Sequence, residues 1–330
     1  MKPGAPWEHT LDPAIVSRGA APFRKYLFWF LIFLVLGYIA AFPLVRSKAY
    51  SQWTDKLWGP MLDFAFASGN RSADVLIFGD SSAFIGIDPR ILEKQLGVKA
   101  LLLPNTIGSL PIIGDLPLRR YLATHQPPRL LVFYFSPWNL DYDHAKKVRF
   151  FEGEEMMLRH GTPSEIAGFV LHHPTEALFF PFRFYNAYGS GIVRSIFRHP
   201  RPSLSIQASL GHMDDRDPFS PLADTCTLPN KLFADEADTS VQELARKYKS
   251  QIPEMVYLAP IPGCSNVHAA LRRSFSGLGA APPAVLPPSD FLGDPYYAHI
   301  EPEAVPEVSR LLAEAVKQRL TATSADPNAE

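Results

Sequence analysis

The sequence Gly79-Asp80-Ser81-Ser82 closes a short apolar run. A hydroxyl at such a strand-to-helix turn lies at the edge of a sheet, beside backbone N–H groups able to stabilise an oxyanion. Serine is a weak nucleophile until an imidazole takes its proton and a carboxylate on the far ring nitrogen fixes the tautomer. One late loop supplies both groups, Asp294 and His299, directly before the last helical pattern. Asn105 and Gly108 follow a second apolar run, and Asn139 follows a third. Each has a structural alternative, in which Ser81 or Ser82 satisfies turn backbone and Asn139 caps a loop. The remaining histidines considered, His172, His173, His199 and His212, lack a Cys/His ligand pattern and read as surface or packing residues. Neither a metal nor a cofactor is expected.

The elements that must position these residues read as strand, turn and helix in alternation. Ala73–Phe78 is an apolar run ending at Gly79, and Asp88-Pro89 caps a helix through Leu96 that Gly97 closes. Lys99–Leu103 is the second run, with a helix from Leu116 to His125 after it, and Arg129–Phe135 is the third. Thr239–Gln251 is amphipathic, with the strand Glu254–Ala259 behind it. Continuous apolar strands separated by helices predict an α/β fold with a parallel sheet covered on both faces. Ligands of such sheets bind at the carboxyl ends of the strands, where every candidate site residue falls. The stretch 146–235, broken by Pro163, Pro174 and Pro181, reads as a helical insert. Its aromatics Phe179, Phe180, Phe182, Phe184 and Tyr185 are expected in a core rather than a substrate platform, with membrane lipid or glycan as what an exposed stripe would face.

Leu27 to Val45 runs without a charge, and as a helix at about 1.5 Å per residue it spans roughly 28 Å, the thickness of a bilayer core. No polar face interrupts it, which separates it from a buried soluble helix. An uncleaved single-pass anchor over 24–45 is expected, with a signal peptide as the rival reading. Arg18, Arg24 and Lys25 precede it and place residues 1–23 in the cytoplasm, with the remainder beyond the inner membrane. Residues 46–72 then form a juxtamembrane linker with some helical character around Trp58 to Phe66, 73–320 the main domain, and 321–330 a flexible tail. Lys and Arg total 32 against 33 Asp and Glu, so charge gives no reason to propose nucleic acid as a partner. Cys226 and Cys264 lie on one side of the anchor, where they could pair in an oxidising compartment or remain two separate thiols.

The order Gly79-Asp80-Ser81, Gly108, Asn139, Asp294 and His299 resembles the SGNH (GDSL-type) hydrolase superfamily over about 74–139 and 254–320. The resemblance implies a flavodoxin-like sheet between helices. It implies Ser81 as nucleophile, His299 as general base and Asp294 as the group orienting it. It further implies an oxyanion hole from the Ser81 and Gly108 N–H groups and the Asn139 side chain. The chain departs from the family in spacing Asp294 and His299 five apart rather than three, with Asp290 or a backbone carbonyl as alternatives, and in reading Ser136-Pro137-Trp138-Asn139 at the third block. With its anchor, the chain is similar to alginate acetylation and D-alanyl-lipoteichoic acid biosynthesis proteins. That similarity implies esterase or O-acyltransferase chemistry on a cell-envelope polysaccharide or related polymer, beside an integral membrane O-acyltransferase. Alternatives are a lipid esterase or lysophospholipase, and a non-catalytic scaffold for the acyltransferase.

Overall fold

The computed structural model describes residues 13–47, 58–67, 71–142, 151–197, 208–213, 220–229, 239–271 and 275–325. In chain order the elements are α1 (Pro13–Arg46), α2 (Trp58–Ala67), β1 (Val75–Gly79), α3 (Ser81–Gly86), α4 (Pro89–Leu96) and β2 (Ala100–Pro104). There follow α5 (Leu110–Ile113), α6 (Leu116–Thr124), β3 (Leu130–Phe135), α7 (Phe151–His160), α8 (Pro163–His172) and α9 (Pro174–Phe197). The chain continues through α10 (Ser240–Lys249), β4 (Glu254–Leu258), the short pair β5 (Ile261–Pro262) and β6 (Val285–Leu286) with α11 (Val267–Leu271) between them, and α12 (Val305–Ala325).

Strands β1 to β4 form one parallel sheet in the order β2-β1-β3-β4. Every residue of β1, β2 and β3 is buried, as expected for strands covered on both faces. Alternate side chains feed two cores. Val75, Ile77, Ala100 and Val132 pack with Val308, Leu312 and Val316 of α12, while Leu76, Phe78, Leu131 and Phe133 pack with Leu118, Tyr121, Val241 and Tyr248 of α6 and α10. The register pairs Gly79 with Pro104 on one side and with Tyr134 on the other, and Phe135 with Leu258. All four strands therefore end at one level, and the loops that leave them share one edge.

A third core lies outside this sandwich. Ala41 and Val45 of α1 are buried against Met156 of α7 and Phe180 and Phe184 of α9, with Leu62 of α2 alongside. Arg46 fastens the end of α1 by donating from Nε to the Leu158 carbonyl (2.9 Å) and from Nη2 to that of Gly161 (3.0 Å). Within α1, Pro22 to Arg46 is a 25-residue stretch long and apolar enough to cross a membrane.

The helical character expected around Trp58 to Phe66 is α2, and this helix is packed, with Met61 in the main core and Leu62 in the third. Helix α12 continues to Ala325 and so takes in 321–325; residues 326–330 and 1–12 lie outside the described ones. The aromatic stripe divides, Phe180 and Phe184 facing inward while Phe179, Phe182 and Tyr185 are exposed. At 3.6 residues per turn, a helix cannot turn positions 179, 180, 182, 184 and 185 all to one side. The rest of the 146–235 insert is helical over α7, α8 and α9, and His199 lies outside the described residues.

Candidate active site

Ser81 opens α3 immediately after β1, and the turn between them is built around Asp80 and Gly79. Asp80 is extended (φ −79°, ψ −167°) and caps the helix, its Oδ1 accepting from the Ser82 N–H at 2.9 Å. Gly79 is required by close approach. A Cβ there would sit 2.1 Å from the Tyr134 carbonyl oxygen and 2.8 Å from Ala83 Cβ, both immovable parts of the neighbouring elements. The absence of a side chain lets β1 and β3 converge where Ser81 emerges.

His299 reaches Ser81 across 218 residues of chain, its Nε2 lying 2.9 Å from Ser81 Oγ. Its Nδ1 bonds Asp294 Oδ2, so the three side chains form a continuous relay. The five-residue spacing is closed by the loop itself. Asp294 Oδ1 accepts from the backbone N–H of Tyr296 (2.8 Å) and Tyr297 (3.3 Å), and Tyr297 adopts the left-handed conformation at φ 55°. That turn absorbs the extra residues and folds His299 back over the carboxylate. Asp294 is the carboxylate bonded to His299 Nδ1, and the backbone carbonyl of Asp290, the alternative acid, accepts from the Glu301 N–H at 2.8 Å.

The loop is held at both ends. Leu292 N–H donates to the His299 carbonyl (2.9 Å), and Phe291 and Ile300 form an antiparallel bridge. From the other side, Leu222 N–H donates to the Phe291 carbonyl and Gly293 N–H to the Ser220 carbonyl, both at 2.8 Å. Segment 220–229 is in turn tied by a disulfide between Cys226 and Cys264, which resolves the question that sequence left open. Trp138 and Tyr297 pack against the cluster that contains this disulfide.

Sequence reasoning gave Asp80 no role, yet it organises the other half of the site. It is wholly buried, and burial pushes its carboxyl above the usual range against the hydrogen bonds it accepts from Ser82, Asn139 and Ser136. Asn139 Nδ2 donates to Asp80 Oδ2 at 2.6 Å and the Ser136 N–H at 3.3 Å. One amide proton of Asn139 is thereby committed, and its geometry fixed, while the second is left for another acceptor. The available signal was the cap itself, an Asp preceding a helix that starts Ser-Ser. Gly108 lies buried in the turn after β2, on the same sheet edge. Asn105 turns inward, accepting from the Thr106 N–H at 3.0 Å and from Ser109 Oγ, so it shapes this loop from within. Thr106 Oγ1 also donates to Glu152 on α7, linking the loop to the helices around α1.

Chemically, a hydroxyl, an imidazole and a carboxylate in this order can move a proton off Ser81 and return it to a leaving group. No protein-family model, curated protein or solved structure matches the chain.

Proposed function

We propose that the chain is a membrane-anchored serine acyl-ester enzyme of the SGNH type, acting beyond the inner membrane on a cell-envelope polysaccharide or related polymer. The supporting observation is the 2.9 Å approach of His299 Nε2 to Ser81 Oγ with Asp294 behind the ring. Ser81 Oγ attacks the acyl carbonyl while His299 takes its proton. The tetrahedral oxyanion collects hydrogen bonds from the Ser81 and Gly108 N–H groups and the uncommitted N–H of Asn139. Its collapse breaks the ester C–O bond, His299 protonates the departing alkoxide, and the acyl group remains on Ser81. A second hydroxyl, from water or from a sugar, gives its proton to His299 and attacks the acyl carbon; the bond to Ser81 Oγ then breaks, and His299 returns the proton to Oγ. Water makes the enzyme an esterase, and a sugar makes it an O-acyltransferase working beside an integral membrane acyltransferase that supplies the acyl group.

A non-catalytic scaffold is the second reading, and the bonds from the Tyr296 and Tyr297 N–H groups to Asp294 Oδ1, which accommodate the five-residue Asp294–His299 spacing, favour catalysis over it. The test is turnover of p-nitrophenyl acetate by the purified full chain and by Ser81→Ala. Activity that survives the substitution refutes the nucleophile.

A further inference from the structure

The helices α8 and α9 carry a row of exposed apolar side chains that the proposed chemistry does not use. Leu171 of α8 is 77% exposed, and Phe179 and Phe182 of α9 are 46% and 49% exposed; α8 packs on α9, and α9 on α1, whose own exposed face includes Phe30, Phe33 and Leu36. Contiguous apolar surface of this kind marks contact with a protein or a membrane.

Its position relative to α1 decides between them. Pro181 packs over Gly37, where a Cβ would stand 3.1 Å from Pro181 Cβ. Phe182 stacks on Phe30 (centroids 6.4 Å), Phe180 on Tyr38 (6.1 Å), and Tyr185 Oη donates to the Gly37 carbonyl at 3.4 Å. Lys25 and Arg46 bracket about 32 Å of helix, close to the roughly 30 Å of a bilayer core. Gly37 lies about 13 Å inside Arg46 along the axis, and Phe30 about 24 Å. An element in contact with both cannot stay in water if α1 crosses the membrane.

We propose that α8 and α9 are immersed in the bilayer beside α1, with Leu171, Phe179 and Phe182 against lipid acyl chains. The membrane part of the protein is then a helical assembly. Arg183 of α9 fits this placement. Arg183 pairs with the buried Glu154 of α7 at 2.7 Å and donates to the Glu176 carbonyl at 2.7 Å, so its charge is compensated within the protein. Thr175, Glu176, Arg183 and Asn186 gather with the two phenylalanines around one cavity of about 510 Å³. Because α7 carries Glu152, bonded to Thr106, and Gly153, packed on Ser109, the loop with Gly108 rests on α7, which packs against both α1 and α9. The candidate active site is therefore held close to the membrane surface, suited to an acyl donor or acceptor presented there.

The proposal rests on α1 being a membrane span, and the experiment separates the two. Both native cysteines are in the disulfide, so single cysteines introduced as Leu171→Cys, Phe179→Cys or Phe182→Cys take a nitroxide label specifically. Leu36→Cys on α1 is the lipid reference, and the exposed Lys94→Cys on α4 the aqueous one. The three side chains tested point outward, so replacing them leaves the cores intact. In phosphatidylcholine liposomes, relaxation by oxygen and by a water-soluble nickel chelate is measured on the full chain. Oxygen access with loss of nickel access at 171, 179 and 182, matching position 36, supports immersion. Nickel access at these sites with position 36 protected overturns the proposal and leaves the anchor standing. Exclusion of both reagents shows a second copy covering the face and also overturns it. Nickel access at position 36 itself removes the anchor, and with it the proposal.

Discussion

Replacing Asp294 with Asn tests the relay at its least regular joint. Asp294 serves two masters, Oδ2 meeting His299 Nδ1 and Oδ1 holding the Tyr296 and Tyr297 N–H groups. An Asn that keeps its oxygen on the turn must offer an N–H to His299 Nδ1. The imidazole then adopts the tautomer protonated on Nε2, which cannot accept the proton of Ser81 Oγ 2.9 Å away. An Asn turned the other way sets its N–H₂ against two backbone donors and opens the turn. Both outcomes remove the base, and a wrong-tautomer lesion of this type costs about 10⁴ in kcat, or ~5.5 kcal/mol of barrier. The assay is p-nitrophenyl acetate turnover, with thermal unfolding as the fold control. A variant within about tenfold of wild type would show that Asp294 does not orient the base.

Three further outcomes follow from the packing. Gly79→Ala forces a Cβ to 2.1 Å from the Tyr134 carbonyl, so the variant should lose about 3 kcal/mol or more in chemical denaturation or fail to accumulate folded; wild-type stability would contradict the close approach. Removing the disulfide by Cys226→Ala with Cys264→Ala frees a separation of 38 residues, worth about 4 kcal/mol by loop entropy, and should lower turnover as segment 220–229 releases the Asp294–His299 loop. Equal unfolding midpoints and equal turnover would refute that role. Glu154 is pushed by burial to about 7, with Glu176 adding to the rise and Arg183 opposing it. The folded state therefore binds the proton more tightly than the unfolded one, and stability should fall as pH rises from the ordinary carboxyl range to about 7, by at most ~3 kcal/mol. Glu154→Gln should flatten that fall in Tm, and a slope identical to wild type would count against the buried carboxyl.

The sheet was legible because its strands carry uninterrupted apolar runs, and Val75–Gly79, Leu130–Phe135 and the Asp88-capped helix fall within a residue or two of where pattern places them. The shared edge of Ser81, Gly108 and Asn139 follows from that alternation alone. What pattern could not reveal depends on contacts remote in sequence. The spacing of Asp294 and His299 looked irregular because nothing local announces that Tyr297 will take a left-handed conformation. Asp80 read as a turn residue because its bond to Asn139 spans 59 positions. The exposed members of the stripe, Phe179, Phe182 and Tyr185, are of the same residue types as the buried Phe180 and Phe184, and only the position of α9 against α1 separates the two faces. Cys226 and Cys264 offered no geometry until segment 220–229 was seen beside the catalytic loop candidate.

The central claim is that Ser81 is a nucleophile activated by His299. Its most direct measurement is the site of adduct formation when the full chain in liposomes is treated with a fluorophosphonate probe, mapped by peptide mass spectrometry in wild type and in His299→Ala. The account predicts a single adduct on Ser81 that His299→Ala abolishes or slows at least about 10³-fold. An unmodified Ser81 in folded protein, or labelling at the same rate without His299, would contradict it.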